Sequence, residues 1–287
     1  MLNDLYQRRT LDGFLDRIQG LPPAPQILVK LLRALNEPDT DVSRVVDLIS
    51  FDPALTANVL KLCNSPAFAA AEPIKNIHEA VGRLGLQVIY RLVAATSSRG
   101  VFRLDWPVPG FTAETLWKHS VTVALAAQLI SKDIGEDDGG VFTAALLHDT
   151  GKVLMSKAFK RLYSDLLPGA IPDPGCLARE EETRFTFDHA AAGGRLLERW
   201  KFPEQIVAGV TFHHRPERAA PFQRVAACIA LGDTISYLLE KPADAEAAAA
   251  HSSTDALGIL GLVPEALLLY LERTRDNLKF VQALCAS

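Results

Sequence analysis

Along almost the whole chain, apolar residues recur at the three-and-four spacing of an α-helix, and sustained alternating runs of β-branched residues are missing. This constrains the fold most, because a stripe repeating every ~3.6 residues suits a helix buried on one face and not a strand whose side chains alternate. The expected fold class is all-α. Ile27, Leu28, Leu31, Leu32 and Leu35 share one stripe of a helix over residues 24–36. Asp52-Pro53 reads as an N-cap followed by proline at the first helical position, with Leu55, Val59, Leu60 and Leu62 behind it. Asn64-Ser65-Pro66 ends that helix, since the residue before a proline is pushed out of the helical region. Helices over 77–84 and 87–96, parted by Gly85, complete a first block covering residues 1–104.

Asp105-Trp106-Pro107-Val108-Pro109-Gly110 punctuates the pattern as a linker or tight crossover does. A second helical domain is expected over 111–240, with the first block packed on it. Its helices run from 112 to 132, from 141 to 159, from about Asp188, from 203 to 213 and from 222 to 239. A loop holding three prolines covers 168–175. Residues 241–253 have helix-forming composition but no apolar face, so 241–287 reads as a linker and a C-terminal helix that begins at Pro264.

The 287 residues suffice for a large core without disulfides. Thirty Lys and Arg against 34 Asp and Glu leave a net charge of -4, which gives no overall field for a polyanion, although a local basic patch stays open. A nucleic-acid regulator therefore has little support. Cys63, Cys176, Cys228 and Cys285 are far apart, with no C-x-x-C pair, so a metal would rely on His and carboxylate ligands. MLNDLYQRRTLDGFLDRI lacks the apolar centre of a signal peptide, and no run reaches the ~18 apolar residues of a span. No membrane role and a cytoplasmic location are expected.

Five of the seven histidines lie between residues 119 and 214, each in or beside an expected helix. His148-Asp149, in AALLHDTGK, follows an apolar run, and neighbours on a helix point about 100° apart, so the pair can grip one ion or a bridged pair. Lys152 lies one turn beyond and can meet an anion there. His213-His214 ends its helix, with His214 on the face of Val207 and Val210. Asp233 lies four residues after Ile229 and so faces inward, where a carboxylate is costly unless paired or bound to a cation. A metal site and a hydrogen-bonded polar core both satisfy this pattern. His78 reads as structural and His251 as solvated.

The ordered run of LWKHS, ALLHDTGK, FDHAAAG, VTFHHRPE and LGDTIS resembles the HD superfamily of metal-dependent phosphohydrolases. LPPAPQILVKLL, ISFDPALTANVLKLCNSPAF and IHEAVGRLG resemble the HD-related output domain family, HDOD, and the likeness covers about residues 15–240. The resemblance implies an all-helical bacterial signalling module. It implies core metal ligands at His119, His148, Asp149 and Asp233, with Asp149 bridging two ions. From the related HD-GYP cyclic di-GMP phosphodiesterases it implies further ligands at His189, His213 and His214, and a phosphate contact at Lys152. Two departures stand out. RPERAAPFQRV follows His214 in place of a Gly-Tyr-Pro loop, and Thr115 stands where some relatives place a metal-binding glutamate.

Imidazole and carboxylate without thiolate suit Fe, Mn, Zn or Mg, and a binuclear pair would acidify a bridging water and hold a phosphoryl oxygen. Two readings follow. One is a signalling module that engages a protein partner, with a metal site and little or no catalysis. The other is a phosphohydrolase or phosphodiesterase acting on a nucleotide or cyclic dinucleotide, with Asp149 and Lys152 as its catalytic groups.

Overall fold

The computed structural model describes residues 2–35, 37, 41–68, 72–103, 112–136, 139–161, 163, 175–240 and 254–285. The expected linker at 105–110, nearly all of the proline loop at 168–175, and segment 241–253 with His251 lie outside them. The helices are α1 (Leu2–Arg17), α2 (Gln26–Leu35), α3 (Val42–Ser50), α4 (Pro53–Cys63), α5 (Ile77–Leu84), α6 (Leu86–Ser98), α7 (Ala113–Asp133), α8 (Gly140–Leu147), α9 (Thr150–Ala158), α10 (Cys176–Phe185), α11 (His189–Arg199), α12 (Glu204–Thr211), α13 (Gln223–Glu240), α14 (Thr254–Leu260) and α15 (Ala266–Cys285). The fold is all-α, with no strand among the described residues.

Residues 23–101 with 276–287 form one compact unit. Its helices start on side-chain caps. Asp41 accepts from Ser43 N, Asp52 Oδ1 from Ala54 N and Leu55 N, and Asn76 from Glu79 N, each satisfying amide groups that a helix start leaves open. Gly85, at φ 84°, separates α5 from α6, a left-handed conformation that costs glycine least. Asn64 closes the loop that follows α4. Its Nδ2 donates to Leu60 O and Ile74 O, both at 2.9 Å, and its Oδ1 accepts from Ile74 N at 2.7 Å. Leu28, Leu31, Leu32, Val45, Ile49, Val59, Leu62 and Leu92 fill the core.

Residues 1–22 with 102–275 form the other unit. The expected first block includes α1, but α1 belongs to this second unit. Arg195 of α11 holds Asp12 by Nε at 2.9 Å and Nη2 at 2.7 Å, and Arg199 reaches Asp12 and Asp16. At the core, all eight residues of α8 are buried, as expected of a helix that is apolar all round. Packed with α8 are α7, α12 and α13. Gly232 faces α7 so closely that a Cβ there would fall 2.8 Å from the Val123 carbonyl oxygen, and this approach brings α13 within reach of His119.

The single helix expected over 141–159 is two helices. His148 Nδ1 turns back on Ala145 O at 2.7 Å and Thr150 Oγ1 donates to Leu147 O at 2.9 Å. These side chains take carbonyls near the end of α8, and Asp149 leaves helical geometry at φ -96°, ψ 9°.

Candidate metal centre

The break between α8 and α9 carries His148 and Asp149 to the middle of a cluster. His119 comes from α7, Asp233 from α13, His189 from the first turn of α11, and His213-His214 from the turn after α12. Asp149 Oδ2 lies 3.4 Å from His148 Nε2 and 3.5 Å from His119 Nε2, while its Oδ1 lies 3.4 Å from His189 Nε2. Asp233 Oδ1 is 3.2 Å from His119 Nε2, and His214 Nε2 is 3.0 Å from His189 Nε2. All seven residues therefore converge. Ligand atoms within 4.8 Å of one another form three sets, namely His119, His148 and Asp233, then His148, Asp149 and His213, then His189, His213 and His214. Asp149 stands between the two outer sets.

The rings are fixed from behind. His148 Nδ1 meets Ala145 O and His213 Nδ1 meets Val210 O, each at 2.7 Å. A carbonyl only accepts, so both Nδ1 atoms carry the proton and both Nε2 atoms present a lone pair to the cluster. His189 Nδ1 is held by Glu181 Oε2 at 2.6 Å, and His119 Nδ1 by Ser236 Oγ at 3.0 Å. At the front, His119 Nε2, His148 Nε2, His213 Nε2 and Asp149 Oδ1 are buried without a hydrogen-bond partner. Buried polar atoms are rarely left so. Donors held about 2.1 Å from one ion at right or tetrahedral angles lie roughly 3.0–3.4 Å apart, and the closest contacts here run from 3.0 to 3.5 Å. The residues fit a divalent metal.

Charge is arranged to match. Burial pushes His213 down to about 3, helped by His148 and His189, and burial likewise takes His214 well below its usual range. Burial would raise Asp149, but His148 and Lys152 hold it well below the carboxylate range. Burial would also raise Asp233, and His119 brings it to about 2. His119 and His189 are raised against the effect of burial by Asp233 and Glu181 respectively. Lys152 Nζ donates to Asp149 Oδ2 at 2.7 Å. At the edge of the centre, the His119 and Lys152 side chains are 18% and 14% exposed.

Glu181 is the residue that the motifs miss. It is fully buried, takes both His189 N (2.7 Å) and His189 Nδ1, and accepts from the Tyr163 hydroxyl. A signal exists, since Leu177, Ala178 and Glu181 share one buried face of α10. Thr115 is spent otherwise. It exchanges hydrogen bonds with Thr112 as the capping box of α7 and is exposed. After His214, Arg215 pairs with Glu182 at 2.8 Å and Asp188 at 3.1 Å.

A helical domain that brings His, His-Asp and Asp from separate helices to one point is built as the HD superfamily is. The HDOD domain family matches residues 21–216, and the chain belongs to that family. An HDOD domain protein of unknown function from Geobacter sulfurreducens is 26% identical with a TM-score of 0.75, and 96% of each chain is covered. A Shewanella amazonensis SB2B protein with a provisional phosphohydrolase name is 25% identical with a TM-score of 0.71, again over 96% of each chain. An uncharacterized protein of Treponema pallidum (strain Nichols) is 28% identical over 231 residues, 78% of this chain and 44% of the relative. Ribonuclease Y of Acholeplasma laidlawii (strain PG-8A) is 22% identical over 158 residues, 55% of this chain and 23% of that protein. The chain spans less than half the length of these curated relatives. Among the described residues, no helix is long and apolar enough to cross a membrane.

Proposed function

We propose that this chain is a cytoplasmic HDOD signalling module that engages a protein partner. On this reading its HD-type centre binds a pair of divalent metals and turns over phosphodiesters slowly or not at all. The observation that carries the metal reading is the set of buried, unpartnered Nε2 and carboxylate atoms aimed at one another. Asp149 would join the two ions, His119, His148 and Asp233 would hold one, and His189, His213 and His214 the other. Fe, Mn, Zn and Mg all suit these donors. Weak catalysis is supported by the sequence after His214, RPERAAPFQRV, which has no Gly-Tyr-Pro loop. Holding a phosphodiester in line supplies several kcal/mol of the barrier.

One observation favours the phosphohydrolase reading, namely Lys152 poised on Asp149. A divalent pair, when bound, supplies Lewis acidity toward a phosphoryl oxygen and acidifies water. Lys152 would then offset charge on the phosphate, while Asp149 and the histidines keep their places through the bonds behind them. The phosphohydrolase and ribonuclease names of two relatives agree with such chemistry.

The test compares wild type with a His148→Ala, Asp149→Ala double variant for turnover of cyclic di-GMP and of an activated phosphodiester, with Mn or Fe supplied. The module reading expects cyclic di-GMP turnover at background in both proteins. Brisk turnover that the double substitution abolishes would make the chain an enzyme.

A further inference from the structure

The run Lys157-Ala158-Phe159-Lys160-Arg161 interleaves cations with an aromatic ring, and the metal centre uses none of it. Phe159 lies between two other rings. It stacks on Phe14 of α1 at 5.7 Å with planes 6° apart, and on Phe185 of α10 at 3.8 Å and 19°. Phe14 is buried at the inner end, whereas Phe159 and Phe185 are half-buried. Two overlapping surface cavities of about 560 and 640 Å³ share Phe159 and Phe185. Around them stand Arg17, Lys157, Lys160, Arg161 and Arg184, and no described Asp or Glu lines either cavity. Arg184 is paired with Glu180, and Lys157 donates to Gly20 O. Arg17 and Arg161 pair with no carboxylate among the described residues.

We propose that this patch binds single-stranded nucleic acid, with a base stacked on the outer face of Phe185 and the flanking phosphates on the cations. A ring that reaches the surface among cations is what such strands use, because every base offers a π-face and every linkage a charge. The overall charge of -4 does not oppose this, since at physiological salt a charge is felt over only about 8 Å. The volume suits one or two nucleosides.

The experiment is fluorescence anisotropy of a labelled oligouridylate with the full chain, titrated at several salt concentrations. Three proteins are compared: wild type, a Lys160→Gln, Arg161→Gln double variant, and Phe185→Leu, which keeps an apolar side chain and removes the ring. Saturable binding is expected. The double variant should bind at least about fivefold more weakly, with a salt slope shallower by about 1.4, at roughly 0.7 for each lost phosphate contact on a single strand. Phe185→Leu should bind about fivefold or more weakly with the slope unchanged, the mark of a lost stack. No binding by wild type would overturn the proposal. So would equal binding of wild type and Phe185→Leu alongside equally tight binding of heparin, which would make the patch a general polyanion surface. Capture of phosphatidylserine vesicles without oligonucleotide binding would also overturn it.

Discussion

Gly151 lies against His189 so closely that a Cβ at position 151 would come within 1.8 Å of the His189 carbonyl oxygen. The obstacle is backbone and cannot swing aside. This contact sets α9 on the start of α11, and so sets Asp149 against His189. Gly151→Ala is therefore expected to cost at least about 1–3 kcal/mol as overpacking and to lower metal content as well. Gly82→Ala is the control, because a Cβ there meets nothing within 4 Å and should stabilise α5 by about 0.5–1 kcal/mol. Urea melts of the two variants check both signs.

Glu181→Gln keeps the shape of the side chain and removes the carboxylate that orients His189. Groups behind metal-bound histidines typically matter by about 10–100-fold in affinity. A loss of that size in titrations with Mn or Zn is expected, with helical content retained. Unchanged affinity would show that His189 is oriented without Glu181.

Much of this design can be read from the residues and some cannot. Asp52-Pro53 and Gly85 mark helix boundaries by local rules, because the cap and the left-handed turn are properties of those residues alone. The His and Asp positions stand out through the ordered motifs that resemble the HD superfamily. The break at His148-Asp149 does not, since the apolar period runs on through it and only the bonds to Ala145 O and Leu147 O end α8. Nor does Glu181, one of three consecutive glutamates with three fates. Glu180 pairs with Arg184 on the surface, Glu181 is buried on His189, and Glu182 meets Arg215. The place of α1 was hidden too, because Asp12 finds Arg195 and Arg199 more than 180 residues away.

The Asp12 contact also sets an acid response. The hydrogen bonds from Arg195 draw Asp12 from 3.8 to about 2 against the opposing effect of burial, with Arg199 assisting. A depressed carboxyl stabilises above its unfolded range, and that contribution is lost as pH falls through the folded value. Docking of α1 should thus weaken between about pH 4 and pH 2, and Asp12→Asn should lack this step. Amide exchange in residues 10–17 measures it, and identical profiles for the two proteins would contradict the assignment.

In the other unit, Asn64→Ala removes three hydrogen bonds and leaves Ile74 N without its partner. A loss of about 1–3 kcal/mol in urea unfolding is expected. Asn64→Asp keeps the acceptor for Ile74 N but sets a carboxylate oxygen against the Leu60 and Ile74 carbonyls, and should lose at least as much. A smaller loss in Asn64→Asp would assign the effect to the bond from Ile74 N instead.

The central claim is that His119, His148, Asp149, His189, His213, His214 and Asp233 form one metal centre with Asp149 in the middle. Elemental analysis tests it most directly, on protein purified without chelator from cells supplied with Fe, Mn and Zn, beside an Asp149→Ala variant prepared identically. About two divalent ions per wild-type chain are predicted, with most of the metal lost in the variant. Equal metal content in the two proteins, or a metal-free wild type, would contradict it and leave the cluster as a polar core that pins the helices.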